Sequence, residues 1–488
     1  MVSNASDIVI FGARGDLAQR KLLPALYQLF RAKLLDSDTR IIGIARDDET
    51  TSSFRQVIEE FLYKRVPADE LIEQEIASFL THCEYIKADL TQLNDYSELA
   101  DRLNQTQRNR VFYYAIAAPL FAPTSKNLHQ SGCINDDCRV VLEKPLGYDR
   151  TSSDAINEEI AQYFEERQIY RIDHYLGKET VQNLLALRFA NPLFGSQWNT
   201  NHISHIEITV AEKVGIEGRW GYFDEAGQMR DMVQNHLLQL LCLTAMDPPM
   251  NLSANAIRDE KVKVLQALAP IQATGPNSQV IRGRYASGVM DQQAVPGYLE
   301  EERANPASRT ETYIAIKAEV RNWRWAGVPF YLRTGKRMKE KLSQITVHFK
   351  PNAHFIFDES QRAIARNRLT IRLQPDEGIS LKILNMYHDL TPDMKLRSGN
   401  LRLDFGDDYG SGRIPEAYER LLLEVVRGNQ NLFVRRDEIQ YAWEWCDSLI
   451  AQWQNDHIEP SPYPAGTWGP KAADLLIMRD GNCWQEDL

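Results

Sequence analysis

Hydrophobic and polar positions follow one pattern before about residue 175 and a different pattern after it. In the first part, short runs rich in β-branched and aromatic residues alternate with longer stretches of helical periodicity. These runs predict strands at DIVIF (7–11), RIIGIA (40–45), EYIKA (84–88), VFYYAIA (111–117), RVVLE (139–143) and IYRID (169–173), with helices at 18–35, 95–103 and 151–167. Repeated strand–helix–strand units predict a parallel sheet with right-handed crossovers and with ligands at the carboxyl ends of its strands.

Beyond about residue 180 the pattern predicts a long helical region followed by strands in series. The predicted strands alternate apolar and polar residues and lie at 312–320, 329–334, 344–350, 368–375, 379–385 and 400–405, with later helices at 415–428 and 437–453. Alternation of this kind indicates an antiparallel sheet with one packed face and one face available to helices or a partner subunit.

The two patterns together predict an α/β part followed by an α+β part. Residues 1–175 are expected to form a doubly wound parallel sheet of the Rossmann type, and residues 176–488 a larger α+β domain with a mainly antiparallel sheet. A chain of 488 residues is long enough for two such domains.

Composition excludes several classes of protein. Hydrophobic residues make up 43% and charged residues 25%, which is typical of globular domains and not of disordered or collagen-like chains. The net charge of −11 opposes nucleic acid and anionic membrane as partners. The first apolar run, Ile8 to Phe11, is too short for a signal-peptide core, and no stretch reaches the roughly 18 apolar residues that span a bilayer. We expect a soluble, cytoplasmic protein.

The six cysteines show no C-x-x-C unit and no zinc-finger spacing. They predict reduced thiols, with no disulfide framework and no metal centre.

A glycine turn follows the first predicted strand. It reads Gly12, Ala13, Arg14, Gly15, Asp16, Leu17 and opens a helix, which is where a dinucleotide pyrophosphate meets backbone N–H groups and the helix dipole. Ile10 stands where the usual fingerprint has its first glycine, so a plain strand-to-helix connection fits the same residues.

The end of the second predicted strand favours NADP over NAD. Arg46 comes first there, and with Arg14 it offers two guanidinium groups for a 2′-phosphate. Asp47 and Asp48 leave use of NAD open, and solvated loop charges are the alternative interpretation.

Three further segments carry candidate chemistry. Lys144 directly follows the predicted strand 139–143 and precedes Pro145, so it is expected to point toward the ligand crevice, with a solvated lysine as the alternative interpretation. His174 and Lys178 are spaced i and i+4 at an expected helix start, which with Tyr175 suits a phosphate group. A helix cap by Asp173 explains the same spacing.

His236 lies among leucines in a predicted helix. It is either a core histidine or a general base oriented by a carboxylate such as Asp173.

At this point the chain resembles the bacterial glucose-6-phosphate dehydrogenases over essentially its whole length. The resemblance rests on FGARGDLAQRKLLPALYQL (11–29), EKPLG (143–147), RIDHYLGKE (171–179), EGRWGYFDEAGQMRDMVQNHLLQLL (217–241) and WAGVPFYLRTGKRM (325–338). It implies oxidation of glucose 6-phosphate at C1 to the 6-phosphoglucono-lactone with NADP as cofactor, the first step of the oxidative pentose phosphate pathway. It also implies a homodimer or homotetramer formed through the antiparallel sheet.

The resemblance implies a role for each matching residue. His236 matches the general base and Asp173 the carboxylate that orients it, while His174, Tyr175 and Lys178 match the sugar-phosphate clamp. Glu212, Asp231 and Lys336 match residues that hold the sugar hydroxyls or ring, and Lys341 matches a further contact to the phosphate. Lys144 matches a lysine between substrate and nicotinamide, and Lys21 matches a lysine close to both. The cofactor residues are Gly12, Arg14, Gly15, Asp16, Leu17, Lys21, Arg46 and Lys144, and a cis bond is implied before Pro145. Arg14 departs from the family, where a small hydroxyl residue is usual.

Two other functions remain as alternatives. One is a dehydrogenase of unphosphorylated sugars in the glucose–fructose oxidoreductase group, which also has an EKP motif but is shorter and lacks RIDHYLGKE. The other is a non-catalytic NADP sensor that kept the fold and lost the chemistry.

Overall fold

The computed structural model of the chain describes residues 5–358, 361, 366–387, 395–405, 413–456 and 458–486. It divides into two compact units. The first comprises Met1–Lys178, Met250–Arg258 and Pro415–Gln440, and the second comprises Glu179–Pro249, Asp259–Ile414 and Tyr441–Leu488. The expected domain boundary at 175/176 stays a prediction, and the opening run of the first unit ends at Lys178.

The strands of the described residues are, in chain order, β1 Ser6–Phe11, β2 Arg40–Ala45, β3 Cys83–Lys87, β4 Asn109–Tyr114, β5 Arg139–Leu142, β6 Ile169–Ile172, β7 Ile203–Ala211, β8 Val280–Ala286, β9 Gly288–Met290, β10 Gln293–Val295, β11 Tyr313–Glu319, β12 Pro329–Gly335, β13 Leu342–Phe349, β14 Arg368–Gln374, β15 Gly378–Tyr387, β16 Lys395–Asp404, β17 Phe433–Val434 and β18 Ser461–Pro464.

The α-helices are Leu23–Arg31, Thr51–Arg65, Glu73–Thr81, Ser97–Asn104, Phe121–Gln130, Arg150–Ala161, Glu179–Phe189, Pro192–Gly195, Trp220–Gln228, Leu238–Ala245, Ala254–Gln266, Ala417–Arg427, Arg436–Asp456 and Lys471–Met478. Two segments are π-helical, Ala18–Leu22 and Met229–Leu237. Among the described residues, no helix combines the length and the apolar character that a membrane crossing requires.

The first unit contains a seven-stranded sheet in the order β17-β6-β5-β4-β1-β2-β3. All neighbours are parallel except β17, which runs antiparallel to β6. Alternate residues of β1 enter different cores, since Ile8 and Ile10 pack on one face and Val9 and Phe11 on the other. The predicted doubly wound sheet is confirmed, and its strand order reverses between β1 and β4, where a ligand crevice is expected.

The second unit contains a nine-stranded sheet in the order β16-β15-β14-β13-β7-β12-β11-β8-β18. Its pairs are antiparallel except β7 with β12 and β8 with β18, so the predicted mainly antiparallel sheet is also confirmed. β7 lies in its middle, within the part of the chain that was expected to be helical. That expectation was wrong because Ile206, Ile208 and Val210 alternate with polar residues at the period of a strand.

Candidate active site

The glycine turn has the strand–turn–helix form that the sequence predicted. The N–H groups of Gly12 and Ala13 donate to the carbonyl of Ile44 at 2.9 and 3.1 Å, which fastens the turn to β2. Gly12 has φ +82°, and a Cβ there would lie 2.4 Å from the carbonyl oxygen of Ala115. Only glycine fits this position, and the bare backbone it leaves lies at the carboxyl end of β1.

Charged side chains gather at the carboxyl ends of β2 and β3. Arg14 Nη2 lies 3.1 Å from Glu49 Oε1, so its guanidinium is engaged within the turn region. Arg46 is exposed at the end of β2. Lys87 ends β3 directly opposite Ala45, and its Nζ lies 2.9 Å from Asp48 Oδ1. The Lys87 ammonium lowers the pKa of Asp48.

Lys21 and Lys144 both lie in the first unit, and each lies near a carboxylate. The carboxylate near Lys21 is that of Glu416, and the one beside Lys144 is that of Glu143. Lys21 Nζ pairs with Glu416 Oε2 at 2.9 Å, just before the helix Ala417–Arg427. The Lys144–Pro145 bond is cis, as the resemblance implied.

Glu143, beside Lys144, is held by two tyrosines. The hydroxyl of Tyr113 donates to its Oε1 at 2.6 Å and that of Tyr418 at 3.2 Å. Burial raises the pKa of Glu143, although the two phenols and Lys144 oppose that shift. Burial, with the carboxylates of Glu143 and Asp173, raises the pKa of Tyr418.

The segment Asp173–Lys178 corrects the sequence interpretation. It forms successive turns after β6, and the helix begins only at Glu179, so His174 and Lys178 do not share a helical face. Asp173 Oδ1 accepts the N–H of Tyr175 at 3.0 Å and thereby closes the first turn. The N–H groups of Leu176, Gly177 and Lys178 donate to the carbonyls three residues earlier, so the backbone bonds are those of turns. Gly177 packs closely here, since a Cβ would lie 2.7 Å from the carbonyl oxygen of Ala417.

Within this turn segment the proposed phosphate-binding side chains are close together. The rings of His174 and Tyr175 lie 5.0 Å apart, and the Lys178 ammonium lies 4.0 Å from the centre of the Tyr175 ring. Asp173 and Lys178 are 2% and 8% exposed. At this distance the ammonium and the ring face make a cation–π contact.

In the second unit, Lys336 lies between two carboxylates. Its Nζ is 2.8 Å from Glu212 Oε2 and 3.3 Å from Asp231 Oδ2, and its side chain is 4% exposed. Burial alone would lower the pKa of Lys336, but Glu212 and Asp231 raise it. The three predicted sugar-binding residues therefore form one charged cluster.

Backbone contacts hold this cluster in place. The N–H of Glu212 donates to the carbonyl of Gly335, and the N–H of Met338 donates to the carbonyl of Glu212, both at 2.9 Å. The hydroxyl of Tyr463 donates to the carbonyl of Lys336 at 2.6 Å. Lys341 is exposed immediately before β13.

His236 is 1% exposed and lies in the π-helical segment Met229–Leu237. The same segment carries Asp231 at its start, so one irregular helix supplies a member of the charged cluster and the candidate base. Local π-helical turns of this kind are often found at functional sites.

Sequence reasoning missed Lys87, Glu143, Glu416 and Tyr418. Lys87 could have been found by applying the carboxyl-end rule to every predicted strand. Glu416 and Tyr418 come from a segment more than 200 residues beyond β6, and no local signal shows that it packs against this unit.

Comparison with known proteins covers both units. Residues 9–183 match the family described as glucose-6-phosphate dehydrogenase, NAD binding domain, and residues 185–485 match glucose-6-phosphate dehydrogenase, C-terminal domain. The chain is 49% identical over 486 residues to the glucose-6-phosphate 1-dehydrogenase of Dickeya dadantii (strain 3937), covering 99% of this chain and 98% of that protein. It is 46% identical over 484 residues to that of Rhizobium meliloti (strain 1021), with the same coverage.

A solved structure of a glucose-6-phosphate dehydrogenase in complex with its substrate glucose-6-phosphate is also similar. The TM-score is 0.91 at 33% identity, and 99% of each chain is covered. Because both domain families and full-length relatives match, the chain carries a domain for a nicotinamide dinucleotide and belongs to the glucose-6-phosphate dehydrogenase family.

Proposed function

We propose that this enzyme oxidises D-glucose 6-phosphate at C1 to 6-phospho-D-glucono-1,5-lactone and transfers the hydride to NADP, the first step of the oxidative pentose phosphate pathway. The observation that carries the proposal is the full-length match to glucose-6-phosphate 1-dehydrogenases in a chain that keeps RIDHYLGKE and the charged cluster of Lys336. A sensor that had lost its chemistry would have no need of both.

The backbone of the first unit fits a nicotinamide dinucleotide. A Cβ at Gly12 would lie 2.4 Å from the carbonyl oxygen of Ala115, so glycine lets the turn pack closely at the carboxyl end of β1. The turn then opens a helix, where backbone N–H groups suit a pyrophosphate. We assign Gly12, Gly15, Asp16 and Leu17 to that contact. When bound, the nicotinamide supplies the acceptor for the electron pair that leaves C1.

The preference for NADP is assigned to cationic side chains at the strand ends. Arg46 is exposed at the end of β2 and free to turn toward a 2′-phosphate, and Lys87 adds a second positive charge one strand away. Arg14 is assigned to the same phosphate contact, and its Nη2 lies 3.1 Å from Glu49 Oε1, which holds the guanidinium in the turn region. A phosphate dianion is stabilised by several convergent donors of this kind.

His174, Tyr175 and Lys178 are assigned to the phosphate of the sugar. The buried position of Lys178 favours this role, because a cation held in low dielectric attracts a dianion more strongly than a solvated one does. Lys341 is assigned to a further phosphate contact.

Glu212, Asp231 and Lys336 are assigned to the sugar hydroxyls and ring. Glu212 and Asp231 raise the pKa of Lys336, and the contacts within the cluster hold its donors and acceptors in fixed positions. Fixed orientation of the sugar lowers the entropic part of the barrier. Lys21 and Lys144 are assigned to positions close to both substrate and cofactor.

His236 is assigned as the general base and Asp173 as its positioning carboxylate. The imidazole accepts the proton of the C1 hydroxyl as the C1 hydrogen leaves with its electron pair, and the carboxylate stabilises the imidazolium that forms. Burial of both side chains supports the assignment, because water would compete for the same proton.

Residues 1–175 are proposed as the NADP-binding domain and residues 176–488 as the domain for substrate and dimer formation. We propose a homodimer or homotetramer in the cytoplasm. Among the described residues, the six cysteines form no disulfide.

The test offers the purified protein glucose 6-phosphate or glucose, each with NADP or NAD, and follows absorbance of the reduced nicotinamide. We expect turnover with the phosphorylated sugar and a higher kcat/KM with NADP. Turnover of free glucose alone would assign the chain to the unphosphorylated-sugar dehydrogenases. Absence of turnover in all four mixtures, with NADP still bound, would favour the sensor.

A further inference from the structure

Two histidines and a glutamate lie together on one face of the second unit's sheet. His205 on β7 is the direct partner of His348 on β13, and Glu207 follows two residues after His205. Residues at i and i+2 point to the same face of a strand, and cross-strand partners are neighbours, so the three side chains converge. Their side chains are 2%, 2% and 11% exposed.

The atoms that converge are those able to bind a metal ion. Glu207 Oε1 lies 2.6 Å from His348 Nε2 and 3.7 Å from His205 Nε2. All three of these atoms are buried, and none has a partner in hydrogen-bond geometry. Bonds of about 2.0–2.2 Å to a tetrahedral zinc ion place ligand atoms about 3.3–3.5 Å apart. The two measured separations lie on either side of that value.

Neighbouring residues orient the side chains of Glu207 and His205. Glu207 Oε2 accepts the N–H of Gln485 at 2.8 Å, which turns Oε1 toward the imidazoles. His205 Nδ1 lies 3.2 Å from Ser204 Oγ, so its Nε2 faces the carboxylate. Outer contacts of this kind fix the tautomer and the ring orientation of metal-binding histidines.

One side of the cluster opens to a cavity of about 590 Å³. The cavity wall includes Arg366, Arg368 and Lys382. These charges oppose a bare cation but stabilise an anion, so the open coordination position is suited to a negatively charged ligand from solution.

We propose that His205, Glu207 and His348 form a binding site for a divalent transition-metal ion of the Zn²⁺ class, with the fourth position open to the cavity. Imidazole nitrogen and carboxylate oxygen are donors that zinc accepts, and two histidines with one glutamate leave room for one exchangeable ligand. The site is separate from the dehydrogenase chemistry, so its test does not depend on the proposed function.

The experiment uses full-length protein without a histidine tag, stripped with chelator and then dialysed against Zn²⁺ or Co²⁺. We expect one bound equivalent by elemental analysis, visible absorption from bound Co²⁺ and a Tm that rises with metal concentration. Glu207→Gln and His348→Ala should each weaken binding by about tenfold or more.

His202→Ala serves as the matched control, because His202 is exposed and precedes β7. Unchanged binding in that variant, with loss in the two others, supports the site. Metal binding that is equal in all variants, or absent from the parent protein, overturns it and leaves the cluster a buried set of polar contacts. Glu207→Gln preserves side-chain size, so it keeps the test valid where His348→Ala fails to fold.

Discussion

Among single residues, His236 bears most directly on the proposed chemistry. His236→Asn removes the proton acceptor but keeps a polar side chain of similar reach. We expect kcat to fall by about 100- to 10,000-fold, the usual contribution of a general base, with little change in KM for glucose 6-phosphate. Steady-state kinetics with NADP measures both constants.

A solvent-isotope effect on kcat separates a base from a packing residue. Loss of stability without a change in kcat would assign His236 to the core, which is the alternative its position among leucines allows. Far-UV circular dichroism of the variant provides the folding control.

A second residue-scale prediction concerns Arg46 and Lys87. Each contributes a positive charge at a strand end, and a hydrogen bond between charged groups is worth about 1.5–3 kcal/mol. Arg46→Ala should therefore raise KM for NADP by about 10- to 100-fold while KM for NAD changes little. Lys87→Ala should act in the same direction with a smaller effect, because Lys87 already pairs with Asp48.

Lys64→Ala is the matched control, since Lys64 lies exposed on the helix Thr51–Arg65 and its contacts, an i,i+4 pair with Glu60 and the ring of Phe61, stay within that helix. It removes the same charge from the same unit. Equal losses with NADP and NAD in the Arg46 variant would contradict its assignment to the 2′-phosphate.

At the scale of elements, the glycine turn offers a sharp test. Gly12→Ala forces a side chain into a backbone with φ +82° and places its Cβ 2.4 Å from the carbonyl oxygen of Ala115. The backbone part costs about 1–3 kcal/mol, and the clash adds to it. We expect a lower midpoint in urea unfolding and loss of NADP binding measured by fluorescence titration.

Comparison with Gly132→Ala separates the steric clash at Gly12 from the conformational cost of a positive φ. Gly132 has φ +71°, but a Cβ there meets nothing within 4 Å. This variant should show a similar conformational penalty and normal NADP binding. If both variants lose equal stability, close contact with Ala115 does not matter.

Local patterns predicted most elements but not all of them. The strands of the first unit were predictable because each joins a buried apolar run to a helix of clear periodicity, and the order of elements then implies a parallel sheet. β7 was missed because helices precede and follow it in the chain, and its sheet partners β12 and β13 come more than 100 residues later. The expected helix start at Asp173–Lys178 was wrong because i and i+4 spacing alone does not distinguish a helix from successive turns.

The residues of the candidate site also divide into those that local sequence patterns predicted and those that they did not. Lys144, Asp173 and His236 carry local signals, either at a strand end or within an unusual motif. Glu416 and Tyr418 carry none, because their contacts with Lys21 and Glu143 depend on a chain segment that returns from far along the sequence. Such contacts are decided by tertiary packing.

At the scale of the whole molecule, assembly is the property to test. The register β14-β15-β16 aligns Leu369 with Leu381 and Leu401 in one row across the sheet. Leu369 is fully buried, whereas Leu401 and Leu403 on the edge strand are 59% and 46% exposed. A row of apolar side chains that becomes exposed toward the edge of a sheet indicates a surface that a partner protein can cover.

We expect this edge to form the proposed subunit contact. Leu401→Asp with Leu403→Asp introduces two charges there and should convert a homodimer into monomers, because burying an unpaired carboxylate is costly. Size-exclusion chromatography with light scattering measures the mass against a chain of 56.1 kDa. Leu475→Asp is the control, since Leu475 is 58% exposed on the helix Lys471–Met478. Dimers that persist in the double variant would place the contact elsewhere on the surface.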